Sequence, residues 1–168
     1  MPDVTALIMD DHEWFRRQFA RLDDAGTAEA LATVWQSLAE RLEIHAQAEE
    51  TIFYPALLRT GDPDGEATDE TKDAISDHNK IRDAIAEAGR HSVGSPAWFT
   101  AVGRARSENS EHLTEEEDEG LPDFRKHAGM ELRHRLGELW QQSYASHPDA
   151  RSISAADVDP QEYLDQHT

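Results

Sequence analysis

The chain has 168 residues, of which 35 are acidic and 16 basic, so its formal net charge at pH 7 is −19. This negative charge argues against binding to nucleic acid or to an anionic membrane surface, because both need clustered Lys and Arg. Hydrophobic residues make up 38%, which suits one soluble domain with a sizeable core. Because the chain contains no cysteine, disulfides, iron–sulfur clusters and thiolate zinc sites are excluded.

The expected location is the cytoplasm. No apolar run approaches the roughly 18 residues of a membrane span, and the N-terminus lacks a basic region followed by an apolar one. The predicted partners are therefore small molecules, with neither nucleic acid nor membrane among them. The sequence does not specify an oligomeric state.

Apolar residues recur with a helical period in five successive stretches. These stretches cover about residues 4–22, 28–58, 68–89, from 96 onward, and 124–144. Because no strand-like alternation of useful length occurs, we predict an all-α fold: an antiparallel up-down-up-down four-helix bundle with an additional C-terminal helix packed outside. Residues 1–145 would form this domain, and residues 146–168 a tail that is mobile or draped on the surface. Thr27 is the expected N-cap of the second helix.

One motif occurs twice in the chain. The order His-x3-Glu-Glu-x4-Pro begins at His45 and again, 67 residues later, at His112. Each copy is preceded by an Asp-His-x3-Arg element, which begins at Asp11 and at Asp77. The chain therefore consists of two halves built on one plan. Pro55, in the first copy, is expected to kink or loosen the end of its helix.

The spacing of the repeated motif places its histidine and first glutamate on one helix face. Residues four apart lie about 40° apart around an α-helix. Both interrupt an apolar stripe, as does one histidine on each of the first and third helices. If the two halves pack about a pseudo-twofold axis, four imidazoles surround two bridging carboxylates and form a dinuclear site. The six candidate metal ligands are His12, His45, Glu49, His78, His112 and Glu116.

Chance spacing and ordinary core packing are the alternatives to this interpretation. A lone histidine in an apolar face is often a core residue, but one per helix, repeated by half, favours a metal site. The same four-residue spacing joins His127 to Glu131 and His134 to Glu138. These four residues lie off the apolar side of the fifth helix, so we interpret them as a solvated face. Imidazole and carboxylate ligands suit iron, manganese or zinc.

As a set, the motifs resemble those of the hemerythrin-like proteins, also called hemerythrin HHE cation-binding proteins. The resemblance rests on the two copies of the repeated motif and the two Asp-His elements, and covers about residues 5–125. It implies a four-helix bundle with a carboxylate-bridged, non-haem di-iron centre that binds O2 or related small molecules such as H2O2 or NO. Manganese or zinc are alternatives to the two iron ions.

The sequence departs from the oxygen-carrying hemerythrins at two places. Those proteins have a second histidine one turn from the first on the third helix, where this chain has Ala74 and Arg82 on either side of His78. They also have an aspartate five residues after the last histidine, whereas here Glu116 follows His112 at four. One metal is therefore expected to lack a histidine, which makes reversible oxygen carriage less secure than metal binding.

Several polar residues adjoin the proposed ligands. Glu50 and Glu117 lie about 100° around the helix from the ligands, so surface or supporting roles are expected. Asp11 and Asp77 are expected to bond nearby imidazoles, or else Arg16 and Arg82. Asn109, one turn before His112, is placed on the ligand side, where it would bond either a metal-bound species or the backbone.

Three functions remain open from the sequence. The first is a di-iron protein that binds or reacts with O2, peroxide or NO, including a catalase- or oxidase-like activity. The second is a module that stores or senses iron, or binds oxygen, without turnover. The third is a structural bundle held together by zinc. The order of residues does not decide among them.

Overall fold

The computed structural model describes residues 1–62 and 64–168, and within these ranges the regular structure is entirely helical. The predicted all-α class is therefore confirmed. The α-helices, in chain order, are α1 (Val4–Asp24), α2 (Ala28–Ala48), α3 (Tyr54–Thr60), α4 (Glu66–Ala88), α5 (Pro96–Glu115), α6 (Leu121–His127), α7 (Met130–Ser146) and α8 (Pro160–His167). Two π-helical segments, Glu49–Phe53 and Glu116–Gly120, and a 3₁₀ turn, Ala150–Ser152, complete them. None of the helices in the described ranges is both long and apolar enough to cross a bilayer.

The apolar core consists of two clusters that meet at the level of the candidate ligands. One cluster contains Ile8 from α1, and the other contains Phe15 from the same helix. His12 lies between these two residues and is fully buried. On α4, His78 lies in the same way between residues of the two clusters. The proposed ligands thus form a polar layer between the two apolar clusters.

Both copies of the repeated motif widen into a π-helical turn. The first widened segment begins at Glu49 and ends just before Tyr54, with Pro55 following; the second begins at Glu116 and is followed by Pro122. Proline lacks an N–H, and its ring clashes with the carbonyl four residues earlier, so a wider turn relieves both conflicts. The expectation that Pro55 loosens its helix is confirmed.

The predicted fifth helix is not continuous. It ends at His127 and restarts at Met130, because Ala128 is in an extended conformation and Gly129 is the N-cap of α7. The second part packs closely on the N-terminus: a Cβ added at Gly137 would lie 2.2 Å from the carbonyl oxygen of Pro2.

The prediction that Thr27 is the N-cap of the second helix is confirmed, since its hydroxyl accepts a hydrogen bond from the backbone N–H of Ala30.

The C-terminal segment contains α8, which packs on α4. Tyr163 and Leu164 of this helix are buried. The Asn79 side chain on α4 donates to the carbonyl of Val158 (2.7 Å) and accepts from the N–H of the same residue (2.9 Å). The division into a domain of residues 1–145 and a tail stays a prediction.

Candidate metal centre

Six side chains from four long helices and the two π-helical segments converge in the layer between the clusters. Each is at most 4% exposed. They form two groups whose candidate ligand atoms lie within 4.8 Å of one another, and one glutamate belongs to both. The groups are His12, His45, Glu49 and Glu116, and Glu49, His78 and His112.

Glu49 lies between the two groups. Its Oε1 is 2.7 Å from His45 Nε2, and its Oε2 is 2.8 Å from His78 Nε2 and 3.4 Å from His112 Nε2. The two oxygens of one carboxylate thus face imidazoles of different groups. A carboxylate in this place has the geometry of a bridge between two cations.

Glu116 takes the corresponding place on the other side. Its Oε2 lies 3.6 Å from His12 Nε2, which is in the first group, and 3.4 Å from His112 Nε2, which is in the second. The second carboxylate of the repeat is therefore also within reach of both groups.

Several of these polar atoms have no hydrogen-bond partner among the described residues, although all are buried. Even the 2.7 Å contact between His45 Nε2 and Glu49 Oε1 lacks the alignment of a hydrogen bond. Buried polar atoms without partners are costly, so the arrangement calls for a ligand. Nitrogen and oxygen donors in this number suit transition-metal cations. The atoms are Nε2 of His12 and His45, Oε1 of Glu49, and both carboxylate oxygens of Glu116.

The other ring nitrogen of each histidine faces a carboxylate. A carboxylate accepts from Nδ1–H, and this fixes the tautomer that directs the Nε2 lone pair into the centre. Three of the contacts are hydrogen bonds, whereas the fourth is too long to be one. The pairs are His12 with Glu117 (2.8 Å), His45 with Asp11 (3.0 Å), His78 with Glu50 (2.8 Å) and His112 with Asp77 (3.9 Å).

Asp11 and Asp77 were expected to bond either imidazoles or arginines. The imidazole alternative is confirmed for Asp11, which pairs with His45, and the arginine alternative is wrong. Arg16 donates to Glu117 (2.9 Å) and Arg82 donates to Glu50 (2.6 Å). The arginine in each Asp-His-x3-Arg element follows its aspartate by five residues, which is about 140° around a helix, so the two side chains diverge.

Asp11 instead contacts residues from two other helices. Arg41 donates to its Oδ1 (2.5 Å), and the Tyr144 hydroxyl donates to its Oδ2 (2.5 Å). The Trp140 ring packs edge-on against His45 with ring centres 5.3 Å apart. Helix α7 thus reaches the candidate centre, which the sequence analysis missed, because periodicity identifies an apolar face without showing what it covers.

The electrostatic field of the centre favours positive charge. Burial alone would lower the pKa of His45, but the charge of Glu49 and the hydrogen bond to Asp11 outweigh it and raise the pKa to about 10. His78 is likewise buried, yet its hydrogen bonds to Glu49 and Glu50 raise its pKa to about 9. A field that holds protons on buried imidazoles also favours metal cations, whose binding would displace those protons.

A small cavity adjoins the centre on its apolar side. It measures about 10 Å³, roughly room for one water-sized molecule. Leu42, Ile81 and Ile85 contribute to its lining, together with the imidazoles of three candidate ligands. Asn109, which is 3% exposed, also lines it, so it lies on the ligand side as expected.

A second small cavity, of about 20 Å³, lies beside Ala74, one turn before His78. Tyr54, Glu70 and Glu116 also line it. Burial, together with the charges of Glu116 and Glu49, raises the pKa of Tyr54 well above its ordinary value, so its hydroxyl stays neutral. Neither Tyr54 nor Glu70 was predicted from the sequence; the place of Tyr54 directly before the motif proline was the available signal.

The four residues interpreted as a solvated face lie outside both ligand groups. His127 is exposed and its Nδ1 donates to the Asp123 carboxylate (2.7 Å). Glu131 and Glu138 are exposed, and His134 is half-buried. This confirms their separation from the candidate centre.

The comparisons with known proteins place the chain at the level of a family. A family model described as the hemerythrin HHE cation binding domain matches residues 3–139. The search of curated proteins and that of solved structures gave no match.

Proposed function

Since the chain belongs to the hemerythrin HHE cation-binding family, we propose that it is a non-haem di-iron protein that binds or reacts with O2, peroxide or NO. The proposal includes an antiparallel up-down-up-down arrangement of α1, α2, α4 and α5 around the centre. The repeated motif supports this arrangement, because each half contributes one histidine from each of its two long helices and one glutamate.

The observation that carries the proposal is the sharing of Glu49 by two groups of ligand atoms. One metal would be held by His12 and His45, and the other by His78 and His112. Glu49 and Glu116 would link the two. Manganese or zinc would fit the same donor types, so the assignment to iron rests on the family and is the part that needs testing first.

Paired iron ions supply a source and sink of electrons for small oxidants and a place for them to bind. The protein contributes a dry environment: the apolar cavity beside His78 has room for one small molecule and little competing water. The carboxylates that accept from Nδ1–H hold the imidazoles in place. The neutral Tyr54 hydroxyl and the Asn109 amide are two hydrogen-bond donors that line these small cavities.

We propose reaction with O2 or peroxide in preference to reversible carriage. Neither Ala74 nor Arg82, which lie one turn from His78 on either side, supplies an imidazole, so one metal would have fewer protein ligands than in the oxygen carriers. Small molecules then compete for the remaining positions. The small cavity beside Ala74, with Glu70 on its wall, leaves space for water or substrate there.

Metal analysis with an optical spectrum tests the di-iron assignment. We expect two iron ions per chain after anaerobic loading, and near-ultraviolet and visible absorbance after oxidation that a zinc-loaded sample lacks. One metal or none per chain in a well-loaded sample would contradict the proposal.

Reactivity is tested by stopped-flow spectra of the reduced protein, mixed first with O2 and then with peroxide while gas evolution is followed. A long-lived oxygenated form that releases O2 under vacuum, without peroxide consumption, would favour a carrier.

The alternatives make different predictions in the same experiments. An iron-storing or iron-sensing module would load iron but consume neither O2 nor peroxide over many cycles. A zinc-stabilised bundle would retain zinc in preference to iron and show no visible absorbance after oxidation.

A further inference from the structure

An acidic cleft of about 430 Å³ opens where α4, α6 and the second π-helical segment meet. Seven carboxylates line it, and Lys126 is the one basic side chain among the described lining residues. Glu119, on its wall, is exposed to solvent. The cleft is therefore an accessible region of strongly negative potential, even for a chain of net charge −19.

The cleft shares a wall with the small cavity beside Ala74. Glu70 and Glu119 line both spaces, and Glu116 lines the inner one. The inner cavity is also lined by Gly120 and by the candidate ligand His112, so the cleft and the centre adjoin the same small space.

Gly120 leaves a gap at this place. A Cβ built on it would lie 3.7 Å from Glu70 Oε2 and 3.7 Å from Glu116 Cγ. Both glutamates therefore border the same small volume, which a side chain at residue 120 would fill. Gly120 has ordinary helical dihedral angles, so the backbone does not require glycine there.

Both glutamates also have polar atoms without partners. Glu70 Oε2 is buried and accepts no hydrogen bond from the described residues, and the same is true of both oxygens of Glu116. The side chain of Glu116 is only 1% exposed. Buried carboxylate oxygens without partners are unfavourable on their own, and a cation moving between Glu70 Oε2 and Glu116 would satisfy both.

We propose that this cleft is the loading route of the centre: a divalent cation binds first at the cleft and passes between Glu70 and Glu119, through the gap at Gly120, to Glu116. Carboxylates bind hydrated divalent cations and let them exchange ligands stepwise. The negative potential would also raise the rate at which cations arrive. The inference rests on the proposed function only in requiring that the centre binds a metal.

The rate of metal uptake tests the charged part of the route. Metal-free protein is mixed anaerobically with Fe²⁺, uptake is stopped by a chelator at set times, and protein-bound iron is measured by elemental analysis. For the double variant Glu70→Gln/Glu119→Gln we expect uptake about tenfold slower, with a weaker dependence on salt and an unchanged final iron content. The matched control Glu131→Gln/Glu138→Gln removes the same charge from the exposed face of α7 and should load like the wild type.

The gap is tested without any change of charge. Gly120→Val should slow uptake severalfold, whereas Gly103→Val, at an exposed helical glycine with open space around it, should not. Circular dichroism establishes that each variant is folded, and if Gly120→Val is not, the charge variant decides the question. Wild-type rates in the double variant would overturn the loading route. A wild-type protein that takes up no iron at all would instead overturn the proposed function.

Discussion

Asp11 organises more of the candidate centre than its sequence neighbourhood indicates. Its carboxylate accepts from His45 and Arg41, which are both on α2, and from Tyr144 on α7. Burial opposes its ionisation, but these hydrogen bonds lower the pKa of Asp11 to about 2. The side chain is therefore charged at neutral pH and fixes the orientation of His45.

Replacing this carboxylate should weaken metal binding. For Asp11→Asn we expect a loss of about 10- to 100-fold in metal affinity, the range typical of partners that orient a ligating histidine. Asp77→Asn should cost less, because Asp77 lies 3.9 Å from His112, beyond hydrogen-bond distance. Competition against a chromophoric chelator measures both affinities. Equal losses in the two variants would show that the difference in distance has no functional meaning.

The ligand assignment is tested directly by removing side chains. Glu49→Ala or His45→Ala should abolish or halve the metal content, because the first removes a group shared by both metals and the second removes one imidazole. His127→Ala and His134→Ala, which lie outside both ligand groups, should leave the metal content unchanged. Elemental analysis of the purified variants provides the comparison, and similar losses in both sets would mean that the site is elsewhere.

Glu70 should give the metal-free protein a measurable pH dependence. The pKa of Glu70 is raised to about 7. Burial is the largest cause, and repulsion from neighbouring carboxylates is the next; these neighbours are Asp123, Glu119, Glu66 and Asp62. A carboxyl whose pKa is higher in the folded protein than in the unfolded chain binds its proton more tightly when folded. Its contribution to stability is therefore fully present below the unfolded pKa, near 4.5, and is lost as the pH rises through the folded pKa, about 7.

Glu70→Gln should therefore stabilise the metal-free protein at pH 8 by about 1 kcal/mol, a value already reduced because the side chain is partly exposed to solvent. The gain should shrink towards zero below pH 4.5, where Glu70 is protonated in both states. Urea unfolding at pH 5 and pH 8 measures it. Exposed Glu138→Gln is the control, and a gain of the same size at both pH values would contradict the proposed origin.

At the scale of elements, α8 is linked to the layer that contains the ligands. The Tyr163 hydroxyl donates to the backbone carbonyl of Glu50, whose side chain accepts from His78. Asn79 ties the segment before α8 to α4 by two hydrogen bonds with Val158. The C-terminal segment thus covers the side of the centre on which Glu50 lies.

Loss of these contacts should loosen the C-terminal segment. Tyr163→Phe leaves a buried carbonyl with one partner fewer, and Asn79→Ala removes both bonds to Val158, so we expect each to lower the free energy of unfolding by about 1–2 kcal/mol. Hydrogen exchange should increase in α8. Gln161→Ala, on the exposed side of the same helix, is the control. Unchanged exchange in both variants would show that other contacts hold the segment.

The elements also show what the sequence could and could not predict. The apolar period located the helices, and Pro55 indicated where one of them would loosen, since both depend on residues close together in the chain. The break at Gly129 went unpredicted because the apolar pattern continues across it. The contact between His12 and Glu117 joins residues 105 positions apart, so it depends on how helices pack and no local pattern reveals it. The repeat identified the candidate ligands and the acidic residues beside them, but not which histidine each of those carboxylates contacts.

At the scale of the whole molecule, a net charge of −19 and a layer of buried polar groups both oppose folding of the metal-free chain. Carboxylates repel one another over the surface, and buried ligand atoms lack partners in the core. Metal cations that bind only the folded protein would satisfy the buried ligand atoms and offset part of the repulsion. Metal content and fold stability should therefore be coupled.

We expect metal loading to raise the stability by about 2.7 kcal/mol when free metal is 100 times its dissociation constant. For a chain of this size that corresponds to a rise in melting temperature of roughly 5–10 °C. Thermal unfolding followed by circular dichroism, with and without chelator, measures this rise.

Magnesium chloride at the same ionic strength is the control that separates specific binding from screening of surface charge. Mg²⁺ screens equally well but prefers an all-oxygen coordination shell. The rise should shrink or vanish in Glu49→Ala, which lacks the shared ligand. Equal melting temperatures for metal-free and loaded wild-type protein would show that the buried layer is satisfied without metal and would remove the basis for a dinuclear centre.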